Sequence, residues 1–162
     1  TCIAMRRPTW DEYFTQLSNS VALRSTCDRG KSGCIIVKER RILCTGYAGS
    51  PPGLPHCDEA GHLFKKIIHE NGEESNHCMR TIHAEQNALI QAAKFGISVE
   101  GAVMYCKMVP CRNCAMSIIG AGITRVVCGK RYHADAESRE MFNQCGIELI
   151  VIKDVEEEYD NK

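Results

Sequence analysis

The sequence of 162 residues has no surplus of either charge, because twenty Lys and Arg offset twenty Asp and Glu. A polynucleotide binder normally carries a basic excess, so no nucleic-acid partner is expected. No apolar run approaches the ~18 residues of a membrane-spanning helix, and no secretory leader is visible, so no membrane partner is expected. There is no internal repeat and no shift in composition that would mark a boundary. What remains is a chain long enough for one domain with a real core. We expect a single domain over 1–162, with a core of about 9–152 and an acidic, solvated tail over 153–162.

Cysteine, by contrast, is in excess: there are eleven. A secreted disulfide scaffold would be short and evenly paired. This chain is long, the number is odd, and Cys34, Cys44, Cys106 and Cys128 sit in apolar, strand-like runs. A reducing compartment fits better, with some thiols buried as small hydrophobes and others on metal, so a cytoplasmic location is expected. Cys145 joins the core thiols, and Cys2 is uninformative.

In chain order, residues 1–8 read as a loose arm. Thr9 and Glu12 form a capping box that opens a helix, with Tyr13, Phe14, Leu17, Val21 and Ala22 on one face, ending near 25–29. Residues 33–37 and 42–46 read as a strand hairpin, followed by a Gly/Pro loop over 46–53. Residues 54–79 are irregular, with a short helix expected over 63–69 and a break at Asn71-Gly72. Helices follow over 83–95, 111–120 and 135–145, and strands over 102–106, 124–128 and 147–152. Strands alternating with helices predict a three-layer α/β/α sandwich with a five-stranded mixed sheet.

Two stretches organise this frame. His83-Ala84-Glu85 opens one helix, and Pro110-Cys111-Arg112-Asn113-Cys114 opens the next. A His with a Glu two residues on, and a Pro-Cys-x-x-Cys downstream, is the pattern of zinc enzymes that deaminate nucleobases. An imidazole and two thiolates, from His83, Cys111 and Cys114, give Zn²⁺ three protein ligands and leave one position to water. Zinc lowers the pKa of that water towards neutrality. Glu85 is then the general acid/base. The competing readings are a helix-capping His with a redox Cys-x-x-Cys, and half of a closed structural zinc site. A redox pair does not need a His-x-Glu on a second helix, and a structural site would want a fourth protein ligand.

A second group of soft ligands lies outside this motif: Cys27, His56, Cys57, His62, His77 and Cys78. Most of them fall in the irregular segment, which has little core of its own, and this suggests a closed structural zinc. Loose thiols and surface histidines are the alternative.

His83 to Ala88, Pro110 to Cys114, the Gly46-Tyr47-Ala48-Gly49 loop, residues 51–57 and residues 76–82 together resemble the deoxycytidylate (dCMP) deaminases, in their bacterial and phage branch with its late-competence type. The resemblance runs from about Thr9 to Ile152 and implies the cytidine deaminase-like fold. It implies hydrolysis of dCMP to dUMP for thymidylate synthesis, by attack of an activated water on C4. It also implies that the Ala84 N–H holds the base O2 and that Tyr132 packs on the pyrimidine. Without the family, Tyr132 could be a loop aromatic covering a core edge. The resemblance further implies that effectors of the dCTP and dTTP kind bind at Gly46-Tyr47-Ala48-Gly49 and that the chain forms a homohexamer. Where the family usually has a sugar-contacting Asn, this chain has Ala48, so either sugar recognition moves to Ser50 or to backbone groups, or discrimination between substrates is weaker. For the 5′-phosphate, Arg29, Lys31 and Arg112 are the candidates, each of which could equally be a solvated surface cation. Among late-competence relatives, cysteines match Cys27, Cys57 and Cys78, and the position of His62 is also a cysteine. The resemblance therefore implies Cys27, Cys57, His62 and Cys78 as the second zinc set, with His77 and His56 in reserve.

Overall fold

The computed structural model describes residues 6–158. Cys2 and most of the expected N-terminal arm lie outside the described residues, as does 159–162 of the expected tail. The elements in order are α1 (Trp10–Ala22), β1 (Gly33–Lys38), β2 (Arg41–Tyr47), α2 (Cys57–Ala60), β3 (Phe64–Ile68), β4 (Glu74–Cys78), α3 (Ala84–Lys94), β5 (Val103–Met108), α4 (Arg112–Gly120), β6 (Arg125–Lys130), α5 (Ala136–Gln144) and β7 (Glu148–Val151).

The main sheet has the order β2-β1-β5-β6-β7. β1 is antiparallel to both neighbours, whereas β5, β6 and β7 run parallel. On one face, Phe14 of α1 packs against Ile35, Val37, Tyr105 and Val127. On the other, Ala84, Ala88, Ala115, Ile118 and Phe142 from α3, α4 and α5 pack on Cys34, Ile36, Met104, Cys106, Val126 and Cys128. Alternate residues of each strand thus serve opposite layers, as a two-residue period requires. The result is a three-layer α/β/α fold with a mixed five-stranded sheet. No helix among the described residues is long and apolar enough to cross a membrane.

Two contacts fix the layers. A Cβ on Gly46 would lie 2.4 Å from Ala88 N and 2.5 Å from Ala84 O, so glycine lets α3 settle on β2. On the opposite face, Asp11 of α1 accepts two hydrogen bonds from Arg125 of β6 (2.8 and 2.7 Å) and one from the Tyr105 hydroxyl (2.7 Å). The Arg125 guanidinium holds the Asp11 carboxyl below the usual carboxylate range.

Sequence expectations are corrected at several places. Cys145, expected among the core thiols, is exposed just after α5. α1 stops at Ala22 rather than at 25–29. The Thr26 N–H and the Ser25 hydroxyl both donate to the Ala48 carbonyl (3.1 and 2.9 Å), and these tertiary bonds carry the chain out of the helix. The helix expected over 63–69 is instead strand β3, paired antiparallel with β4 in a separate two-stranded sheet. Asn71-Gly72, with Gly72 at φ 81°, turns the chain and lets the β-branched Ile67 and Ile68 pair with Ser75 and Glu74. The tail over 153–157 is tied to the sheet by hydrogen bonds and ion pairs, although 153–156 stay exposed. Arg131 N–H donates to Val155 O (2.9 Å), Glu157 N–H donates to Arg131 O (3.0 Å), and the Glu157 carboxylate sits between Lys107 and Lys130 at 3.1 Å each.

Candidate metal centre and active site

α3 and α4 begin beside one another, and each begins at a candidate metal ligand. His83 caps α3, Cys111 caps α4, and Cys114 lies within the first turn of α4. His83 Nδ1 is 3.5 Å from Cys111 Sγ and 3.3 Å from Cys114 Sγ. All three ligand atoms lie within 4.8 Å of one another. The partial positive charge at two helix N-termini favours thiolate there. Of the two sulfurs, Cys111 is the more acidic: a hydrogen bond from Cys114 pulls its thiol down against burial, and His83 adds to this. His83 moves the other way, raised by its hydrogen bond to Cys111 against the penalty of burial. A pocket that stabilises a proton on imidazole beside a thiolate would also stabilise a cation. Its N,S,S donor set fits zinc with one position left open.

Glu85 is 5% exposed and lies next to this set. Burial raises its carboxyl pKa, and the nearby His83 opposes that shift. A cavity of about 700 Å³ opens above, lined by Ala48, Ala84, Glu85, Tyr132 and Arg29 among others. This volume suits a small-molecule ligand.

The other expected contacts divide. Arg29 lines the cavity, and its guanidinium donates to Asn76 O (2.6 Å). Lys31 is exposed and is not part of that lining. Arg112 turns to Glu137 on α5 (2.6 Å), also outside that lining. The Ser50 hydroxyl is directed at two carbonyls, Pro55 O (2.8 Å) and Arg80 O (3.0 Å), so it holds the loop to itself. In the Gly46–Gly49 loop, Tyr47 O accepts from Asn87 Nδ2 (2.9 Å), Ala48 N–H donates to Ser32 O (3.0 Å), and Gly49 O accepts from Ile82 N–H (3.0 Å).

The second group also converges. Ligand atoms of Cys27, Cys57, His62 and Cys78 all lie within 4.8 Å of one another. Cys57 Sγ is 3.5 Å from Cys78 Sγ, and His62 Nδ1 is 3.6 Å from Cys27 Sγ. Burial raises the Cys27 and Cys57 thiols. The Cys78 thiol goes down despite burial, through backbone groups of Arg80 and Leu63 and through His62 and Cys57. Neither reserve histidine joins this set. His56 Nδ1 is taken by the Thr26 hydroxyl (2.9 Å) and accepts from Ser50 N–H (3.3 Å). His77 faces the other cluster, with its Nε2 3.1 Å from His83 Nε2.

Sequence reasoning missed several neighbours. Asp28 Oδ1 is 2.8 Å from His62 Nε2, the carboxylate partner a ligating histidine commonly has. His69 and His133 line the cavity with their Nε2 atoms 3.4 Å apart. Glu156 and Glu157 bring the C-terminal segment to the same wall. The Asp beside Cys27 was the one local signal, and the rest depends on tertiary contact.

Comparison with known proteins gives concordant findings. Residues 8–130 match the family model described as the cytidine and deoxycytidylate deaminase zinc-binding region. The chain is 41% identical over 143 residues to ComE operon protein 2 of Bacillus subtilis, covering 88% of this chain and 71% of that protein. It is 34% identical over 143 residues to the deoxycytidylate deaminase of Schizosaccharomyces pombe, where it spans 88% of this chain but only 44% of the relative. Among solved structures, it is similar to the dCMP deaminase of cyanophage S-TIM5 in complex with dCMP and dUMP. That match has a TM-score of 0.70 at 28% identity and covers 90% of this chain and 98% of the phage chain.

Proposed function

The chain belongs to the family of cytidine and deoxycytidylate deaminases that share this zinc-binding region, and we propose that it hydrolyses dCMP to dUMP and ammonia. The observation that carries this is a buried carboxylate, Glu85, beside an open set of three metal donors at the base of a nucleotide-sized cavity. The substrate follows from the likeness to a phage enzyme crystallised with dCMP and dUMP.

Held by His83, Cys111 and Cys114, zinc would supply Lewis acidity that makes a water acidic near neutral pH. The chain's own residues do the rest. Glu85, its pKa raised by burial, takes a proton from the attacking water and delivers it to N3 as the C4–O bond forms. Glu85 then passes the proton of the C4 hydroxyl to the exocyclic amine as the C4–N bond breaks. C4 keeps the oxygen as a carbonyl, one water is consumed and one ammonia leaves. The Ala84 N–H, in the first turn of α3 where backbone donors lack helical partners, donates to the base O2. Tyr132, which lines the cavity, is the aromatic side chain that would pack on the ring. Arg29 is the phosphate contact that the cavity lining supports best.

The reading extends to a second, structural zinc on Cys27, Cys57, His62 and Cys78, supported by the mutual reach of these four donors. It also takes 1–162 as one deaminase domain in a cytoplasmic homohexamer, with dCTP and dTTP acting at the Gly46–Gly49 loop. Family likeness supports these last features. The test is a substrate panel of dCMP, CMP, deoxycytidine and cytosine, with and without dCTP and dTTP. We expect ammonia release from dCMP far above the other three. Equal turnover of deoxycytidine would overturn the nucleotide reading, and unchanged rates with both triphosphates would remove the regulatory one.

A further inference from the structure

His77 belongs to neither ligand set, yet it touches the first one. It sits on β4, immediately before Cys78 of the second cluster. Its ring meets the His83 ring with centroids 5.3 Å apart and the two Nε2 atoms at 3.1 Å. At that distance the two nitrogens share one proton, and which ring carries it decides what His83 can do. The sulfurs of Cys111 and Cys114 face His83 Nδ1, so Nδ1 is the atom available to a metal. A neutral imidazole that ligates through Nδ1 must carry its proton on Nε2. The opposite arrangement, with His77 donating, would leave the proton on His83 Nδ1 and block it as a ligand.

We propose that His77 is a positioning residue for the metal centre: its Nε2 accepts the His83 Nε2–H and so fixes both the ring plane and the tautomer that frees Nδ1 for zinc. Ligating histidines commonly donate their second N–H to a carboxylate or carbonyl, and losing that partner typically costs 10–100-fold in metal affinity. A histidine in this role comes from an element that is otherwise separate from the main sheet. β3 and β4 form their own two-stranded sheet, whose last residue, Cys78, is drawn into the second cluster. The hairpin therefore reaches both donor sets, one through Cys78 and the other through His77.

The proposal rests on the reading that His83, Cys111 and Cys114 hold zinc. The experiment is long-range ¹H–¹⁵N imidazole NMR on the zinc-loaded protein, with chelator-driven zinc release from wild type, His77→Leu and His77→Gln. In the wild type, His83 should show a metal-shifted Nδ1 and an exchange-protected Nε2–H, and His77 should carry its proton on Nδ1. His77→Leu should expose the His83 Nε2–H to exchange and speed zinc loss from that cluster by about 10–100-fold. His77→Gln, whose side-chain oxygen can accept the same proton, should restore most of the retention, which a purely structural role would not do. If His77→Leu does not fold, the wild-type spectrum and His77→Gln decide the matter. A His77 protonated on Nε2, a His83 Nε2–H that exchanges like an exposed ring, or faster zinc loss in His77→Gln equal to that of a disrupted site would each overturn the proposal alone. A first cluster that takes no zinc would overturn the metal reading and the proposal with it.

Discussion

The two cysteine and histidine clusters use the same donor atoms but are built in different ways. The first hangs on the starts of α3 and α4, inside the main core, where Ala84, Ala88 and Ala115 belong to one large apolar cluster. It has three donors and a buried carboxylate beside them. The second joins a loop at Cys27, the start of a four-residue helix at Cys57, His62 ahead of β3, and the end of β4 at Cys78. Among the described residues, its buried cluster consists of Cys27, Cys57 and Cys78. A preorganised frame can leave a coordination position open for chemistry, whereas a segment without a core needs every donor closed on an ion to hold its shape.

The sharpest test of this contrast is at Glu85. Glu85→Gln keeps the shape and removes the proton carrier. We expect a fall in deamination rate of about 10²–10⁴-fold, with zinc content and thermal midpoint unchanged. An unchanged rate would mean that the first cluster is not open in the sense argued, and that Glu85 is merely a buried carboxyl.

At the second cluster the expected effect is on structure, not on rate. Elemental analysis should find about two zinc ions per chain, falling to about one in Cys57→Ser. The hairpin of β3 and β4 should then become sensitive to proteolysis, while the first cluster retains its ion. A wild-type value near one would leave the second cluster as a set of buried thiols and remove the contrast.

What could be read from the sequence divides along the same line. The first cluster was legible because its ligands lie in two short motifs, each at a helix start, and the five main strands were legible as apolar runs. β3 was misread because Phe64, Lys65, Lys66 and Ile68 are all exposed, so no two-residue period marks a buried face. Ser50 looked available for a sugar, and nothing local reveals that its hydroxyl is held by Pro55 O and Arg80 O. Asp28 and His77 owe their places to partners 34 and 6 residues away. The docking of Glu157 follows from Lys107 and Lys130, on neighbouring strands, rather than from the composition of the tail.

The smallest expected effect tests whether the two regions are independent. Asp11 ties α1 to the sheet on the face opposite the first cluster, through Arg125 and the Tyr105 hydroxyl. Arg125 also meets Glu148 at 3.1 Å, so Asp11→Asn does not strand its charge. A loss of about 1.5–3 kcal/mol is expected at neutral pH, the range for hydrogen bonds to a charged group. The sign with pH follows from the lowered carboxyl. The folded value lies below the unfolded ~3.9, so this stabilisation is complete above that pH and disappears as pH falls through the folded value. Denaturant melts of wild type and Asp11→Asn should therefore differ at pH 7 and converge in acid. Zinc content should be the same in both if, as proposed, the second cluster takes its shape from an ion of its own rather than from the sheet. If Asp11→Asn also lowers zinc content, the two regions share one stability, and the second cluster leans on the core that the contrast assigns to the first.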